Sequence, residues 1–77
     1  MVKILLFADL RDKFGRGELE MEAEGKTVKE LKAELETMNN RISLDSVMVA
    51  VNEEFTGEDT TIKNGDIVAL IPPVSGG

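Results

Sequence analysis

The sequence contains no cysteine, histidine, tryptophan or tyrosine. Without cysteine there is no disulfide, no thiolate nucleophile and no zinc–thiolate site. That fits a reducing compartment, and a cytoplasmic location is expected. Without histidine the commonest general base is missing, and so is any Ser–His–Asp arrangement. Phe7, Phe14 and Phe55 are the only aromatic residues, too few for a platform on which bases stack. Positive charge is also scarce: nine Lys and Arg stand against fifteen Asp and Glu, for a net charge of -6. DNA, RNA and anionic lipid each need a basic footprint, so neither a nucleic acid nor a membrane is an expected partner. A partner with a basic surface is allowed. The apolar run Ile4–Ala8 is too short for a signal-peptide core or a membrane span.

Chemical motifs are equally thin. Ser43, Ser46 and Ser75 have no base within sequence reach. Gly15-Arg16-Gly17 lacks the third glycine and the helix of a dinucleotide fingerprint. Asn52, Glu53, Glu54, Glu58 and Asp59 gather oxygen ligands but not at calcium-loop spacing, and no metal site is expected.

The chain has 77 residues, which makes one small domain with one thin core. Such a domain hides only about 60% of its extended surface on folding. Val2–Ala8 reads as a strand with both faces at least partly covered. The segment from Asp9 to Phe14 reads either as a helical turn stopped by Gly15 or as an irregular loop. Glu18–Glu24 alternates cleanly, with Leu19, Met21 and Ala23 on one face and four glutamates on the other, as in a half-buried strand. The glutamates can simply protect an edge from pairing, or they can form an acidic dock.

Thr27 and Glu30 have capping-box spacing, and Val28, Leu31, Leu35 and Met38 recur at helical spacing toward a core. Lys32 belongs to the solvated side and can pair with Glu36. Asn39-Asn40 ends the helix in a left-handed turn. Val47–Asn52 is a buried strand, Glu53–Gly57 a turn, Asn64-Gly65 a turn, and Ile67–Ile71 the last strand.

The order is therefore strand, strand, helix, strand, strand. The first two strands pair as an antiparallel hairpin. The first and last, being the most apolar, lie side by side in the sheet centre, parallel because of the right-handed crossover. This is an α+β fold of the β-grasp (ubiquitin-like) type, a mixed sheet with one main helix on one face. The rival, a split βαβ arrangement, needs a second helix late in the chain, where no segment has the pattern. Residues 1–71 form the domain and residues 72–77 an extended tail.

That tail is the one segment with an evident design. Pro72 and Pro73 cannot donate to a ladder and hold the chain extended. Six extended residues reach roughly 20 Å at about 3.3 Å each. Gly76 and Gly77 carry no side chains, so the end can pass a narrow channel and present its own carboxylate. A frayed terminus is the bland alternative. Alternation assigns Ile4, Leu6, Val68 and Leu70 to the helix side. Phe7, Phe55 and Ile71 are left as an exposed apolar patch near the tail, which would mark a binding surface unless loops cover it.

Ile4–Ala8, Val49-Ala50-Val51-Asn52, Gly65-Asp66 and above all Ile71-Pro72-Pro73-Val74-Ser75-Gly76-Gly77 resemble the small subunit of molybdopterin synthase, the MoaD-type family of ubiquitin-like sulfur carriers. The resemblance runs the length of the chain. It implies that an adenylating enzyme similar to the ubiquitin activators uses ATP on the Gly77 carboxylate, and that a separate donor then supplies sulfur to make a thiocarboxylate. It implies docking on the large synthase subunit through Phe7, Phe55 and Ile71, with Pro72, Pro73, Val74, Ser75 and Gly76 threading into that subunit. The thiocarboxylate would attack a cyclic pyranopterin precursor and help build the dithiolene. No cofactor bound by this chain is implied, and catalytic side chains would belong to the large subunit. Three alternatives stay open: a carrier for thiamine or tRNA thiolation, a ubiquitin-like protein modifier, and an interaction module with an inert tail.

Overall fold

The computed structural model describes residues 1–40 and 42–73. In chain order the elements are β1 (Val2–Leu6), α1 (Asp9–Phe14), β2 (Glu18–Met21), α2 (Val28–Met38), β3 (Met48–Val51), β4 (Glu54–Thr56) and β5 (Ile67–Ile71). The strands form one mixed sheet in the order β2-β1-β5-β3-β4. β1 and β5 run parallel in its centre, with Ile4 opposite Val68 and Leu6 opposite Leu70. β1 and β2 pair antiparallel, as do β3 and β5, and β3 and β4. This is the expected β-grasp arrangement. No helix lies between α2 and β5 among the described residues, which removes the split βαβ rival.

The period-two pattern decides which face is covered. Val2, Ile4 and Leu6 of β1 and Val68 and Leu70 of β5 are buried. They pack with Val28, Leu31 and Leu35 of α2 into the single core cluster. Each such side chain contributes about 1.5–3 kcal/mol of hydrophobic stabilisation. The capping box forms as the spacing predicts. The Glu30 N–H donates to Thr27 Oγ1 at 3.2 Å, and the Thr27 N–H donates to Glu30 Oε1 at 2.8 Å. These bonds satisfy two of the donors left free at a helix start.

The ambiguous segment after β1 is a helix. Its stop is Gly15 at φ 77°, whose N–H donates to the Arg11 carbonyl at 2.9 Å, and Leu10 anchors it in the core. Several expectations need correction. The second strand pairs only over Glu18–Met21. Beyond it the chain turns at Gly25 (φ 86°) and bonds to Ile62 instead, though Ala23 stays buried. Met38 is 57% exposed, because Ile42 and Leu44 from the following loop fill the core at that end. Asn39 is extended (φ -142°, ψ 93°), not left-handed, and its N–H still reaches the Leu35 carbonyl.

Lys32 is buried, not solvated. Its ammonium donates to the Val47 carbonyl at 2.8 Å and lies 3.8 Å from Glu58. Glu36 does not pair with it, and accepts the Leu44 N–H at 2.7 Å, tying down the loop after α2. The segment Glu53–Gly57, expected as a turn, holds a strand. Asn52 and Glu53 make a two-residue turn with positive φ at both positions, the geometry that matches strand twist in a hairpin.

Candidate functional site

The helix covers one face of the sheet and leaves the other open. Across that open face the strand registers align Leu5 with Ala69, Ala69 with Ala50, and Ala50 with Phe55. One row further toward the tail, Ile71 stands opposite Met48. One row the other way, Lys3 stands opposite Ile67. Phe7 follows β1 by one residue, and alternation from Leu5 carries it to this side.

Phe7 is 46% and Phe55 65% exposed, while Ile71 is half-buried. The three residues expected to form an exposed apolar patch, Phe7 and Ile71 by alternation and Phe55 from a segment read as a turn, sit on this one side of the sheet. Met48 (51% exposed) and Ile67 (43% exposed) extend it, and neither was singled out from the sequence. For Ile67 the signal is the same alternation within β5; for Met48 it is a register that only pairing supplies. Exposed apolar side chains grouped on one face of a small domain form a candidate docking surface.

β5 delivers the chain from this surface to its end. Pro72 is half-buried and Pro73 exposed. Both line a hollow of about 500 Å³ with Ala8, Leu10, Lys13 and Val47 among its walls. Val74, Ser75, Gly76 and Gly77, the residues expected to thread and react, lie outside the described residues. Ala8, at φ 51° and ψ -125°, shapes the corner between Phe7 and α1. The Leu10 N–H closes that turn on the Phe7 carbonyl at 3.1 Å. An L-residue at such angles is strained, and this strain lies where the patch meets the tail.

The base of β5 is fixed by a polar clamp on the opposite end. Asn52 Nδ2 donates to Asp66 Oδ1 at 3.0 Å, and the Ile67 N–H donates to Asn52 Oδ1 at 3.0 Å. The Lys63 N–H donates to Asp66 Oδ2 at 2.8 Å. The Lys63 bond first, then that from Asn52, holds the Asp66 carboxyl below its ordinary range. Among the described residues no three acidic side chains are grouped so as to hold a metal ion, and no helix is long and apolar enough to cross a membrane.

The ThiS family model matches residues 4–77. The chain belongs to the ThiS family. The likeness to molybdopterin synthase small subunits runs the whole length of the chain. The molybdopterin synthase sulfur carrier subunit of Escherichia coli is 33% identical over 81 residues, covering all of both chains. That of Dictyostelium discoideum is 36% identical, covering 97% of this ThiS-family chain and 94% of its own.

Among solved structures, a putative molybdopterin converting factor subunit 1 from Pyrococcus furiosus superposes with TM-score 0.81 at 32% identity, covering 95% of this chain and 97% of that one. Small archaeal modifier protein 1 of Methanosarcina acetivorans gives TM-score 0.81 at 27% identity, covering 99% and 95%. A chain of the protein–protein complex of subunits 1 and 2 of molybdopterin-converting factor from Helicobacter pylori gives 0.67 at 25% identity, covering 99% and 97%. These neighbours share the ubiquitin-like β-grasp fold found for this chain.

Proposed function

We propose that this ThiS-family chain is the sulfur carrier subunit of a molybdopterin synthase, and that its reacting group is the Gly77 carboxylate. The observation that carries the reading is the end-to-end match to sulfur carriers of that name. It is joined to an apolar face that borders the start of the tail.

An adenylating partner uses ATP: a carboxylate oxygen bonds to the α-phosphorus and pyrophosphate leaves. The resulting acyl adenylate is an activated electrophile. A sulfur nucleophile from a separate donor displaces AMP and leaves a thiocarboxylate. That group is anionic at neutral pH and a good nucleophile, the property a thiolate supplies elsewhere. A protein without cysteine can carry sulfur in this way. In the pocket of the large subunit, which contributes the catalytic side chains, the thiocarboxylate sulfur bonds to a carbon of the pyranopterin precursor and displaces an oxygen leaving group. Water then cleaves the acyl–sulfur bond, leaving the sulfur on the pterin and restoring the Gly77 carboxylate. A dithiolene has two sulfurs, so two loaded carriers serve each product.

Phe7, Phe55 and Ile71, with Met48 and Ile67, form the face that meets the large subunit, and Pro72 to Gly76 thread the tail. A partnership of this kind exists for the Helicobacter pylori relative, solved as a complex of subunits 1 and 2. One extra residue after Gly77 replaces the reacting carboxylate by an amide. Synthase activity reconstituted with that variant is expected to vanish while the fold is kept. Full activity would overturn the reading.

A second reading follows from the likeness to small archaeal modifier protein 1. The same activated Gly77 would form isopeptide bonds with lysines. Higher-mass conjugates of the tagged chain on a denaturing blot support it, and their absence supports the carrier alone.

A further inference from the structure

β4 ends the sheet on its side, and among the described residues no strand pairs with its outer edge. The hairpin fixes which groups that edge offers. Val51 and Glu54 flank the two-residue turn as a hydrogen-bonded pair, so the next pair, Ala50 and Phe55, is non-bonded. The Phe55 N–H and C=O therefore point outward, away from β3.

Beside the edge, between β4 and the first half of α2, runs a groove of about 330 Å³ whose walls include Val28, Val49, Phe55, Lys32, Thr56 and Glu58. Lys32 is already engaged by the Val47 carbonyl and by Glu58. Thr56 Oγ1 is not: it is buried with no hydrogen-bond partner among the described residues. Leaving such a hydroxyl unpaired costs free energy, and a ligand seated in the groove would recover it. Of the groove's walls Asp45 and Glu58 are exposed carboxylates, and Glu54 and Asp59, next in the chain to Phe55 and Glu58, are exposed as well. The ammonium that meets these carboxylates is that of Lys32, 3.8 Å from Glu58, and the Lys29 backbone N–H donates to the Glu58 backbone carbonyl.

We propose that the β4 edge and its groove bind an extended, basic segment of a protein partner. The segment adds to the five-stranded sheet through the Phe55 backbone. It seats an aliphatic side chain against Val28 and Val49, takes up the Thr56 hydroxyl, and sets lysine or arginine residues against the carboxylates. A second copy of the chain is disfavoured as occupant. Each molecule carries a net charge of -6, so pairing two copies sets like net charges against each other. This surface shares Phe55, through its backbone rather than its side chain, with the face proposed for the large subunit, but uses no part of the tail chemistry, so it stands or falls independently of the sulfur-carrier reading.

The test is an NMR titration of the labelled full chain with a capped lysine–valine–isoleucine–valine–lysine peptide. Shifts are expected at Phe55, Thr56, Val28 and Lys32, with slowed amide exchange at Phe55 and weaker binding at higher salt. A peptide with glutamates in place of the lysines, and a Glu54→Lys, Asp59→Lys double variant with the original peptide, should each bind about tenfold more weakly. The proposal is overturned by any of four results: no shift at β4, shifts confined to Lys3, Leu5 and Ile67 on the open face, binding indifferent to charge reversal, or concentration-dependent shifts at β4 without peptide.

Discussion

Asp66 shows how one carboxylate ties three segments together. It accepts from the Lys63 backbone and from Asn52, and Asn52 in turn accepts the Ile67 N–H at the start of β5. These bonds favour the ionised form, so the folded-state pKa lies below the ordinary carboxylate value. A depressed folded pKa stabilises the fold above the ordinary range, and that contribution is lost as pH falls through the lowered value. Glu30, held down by its bonds with Thr27, acts in the same direction. The urea midpoint is expected to fall as pH drops from neutral to about 3, and to fall less in Asp66→Asn. An equal fall in both would remove Asp66 from this role.

The elements differ in how much of them could be read from residue order. The helix α2 was legible at its start because Thr27 and Glu30 cap locally, within four residues of each other. Thr27→Ala is expected to lower stability by about 1 kcal/mol, read as a shifted denaturation midpoint at unchanged slope. Its far end was not legible: Met38 keeps the helical period but runs past the sheet, and Leu44 fills the core in its place. Lys32 was misassigned because its charge suggests solvent, while its long stem reaches a backbone carbonyl beside the core. β4 was missed because its turn uses Asn52 and Glu53. Glu53 sits at φ 71°, where sequence reading looks for glycine. β1 and β5 were clear from their apolar runs. Of the candidate face, Phe7 and Ile71 follow from alternation and Ile67 lies on the side of Ile71 by the same period, whereas Phe55 stands in a segment that reads as a turn and Met48 is placed by its register with Ile71.

At the scale of the whole molecule, the two sheet faces divide the work. The covered face holds the fold together, and the open face is the one proposed to meet the large subunit. Phe7→Asp tests that division. Phe7 lies outside the core cluster, so the variant is expected to keep its stability to within about 0.5 kcal/mol. Its affinity for the large subunit, measured by calorimetry, is expected to fall at least tenfold, because a charge would be buried in an apolar interface. Unfolding of the variant would instead place Phe7 in the core.

The measurement that bears most directly on the sulfur-carrier account is the mass of the C-terminal peptide, taken from protein isolated from cells that make molybdopterin. The account predicts a fraction ending at Gly77 with one oxygen replaced by sulfur, and loss of that fraction when the adenylating partner is deleted. A C-terminal peptide that carries only the ordinary carboxylate, with molybdopterin made at the normal rate, would contradict it.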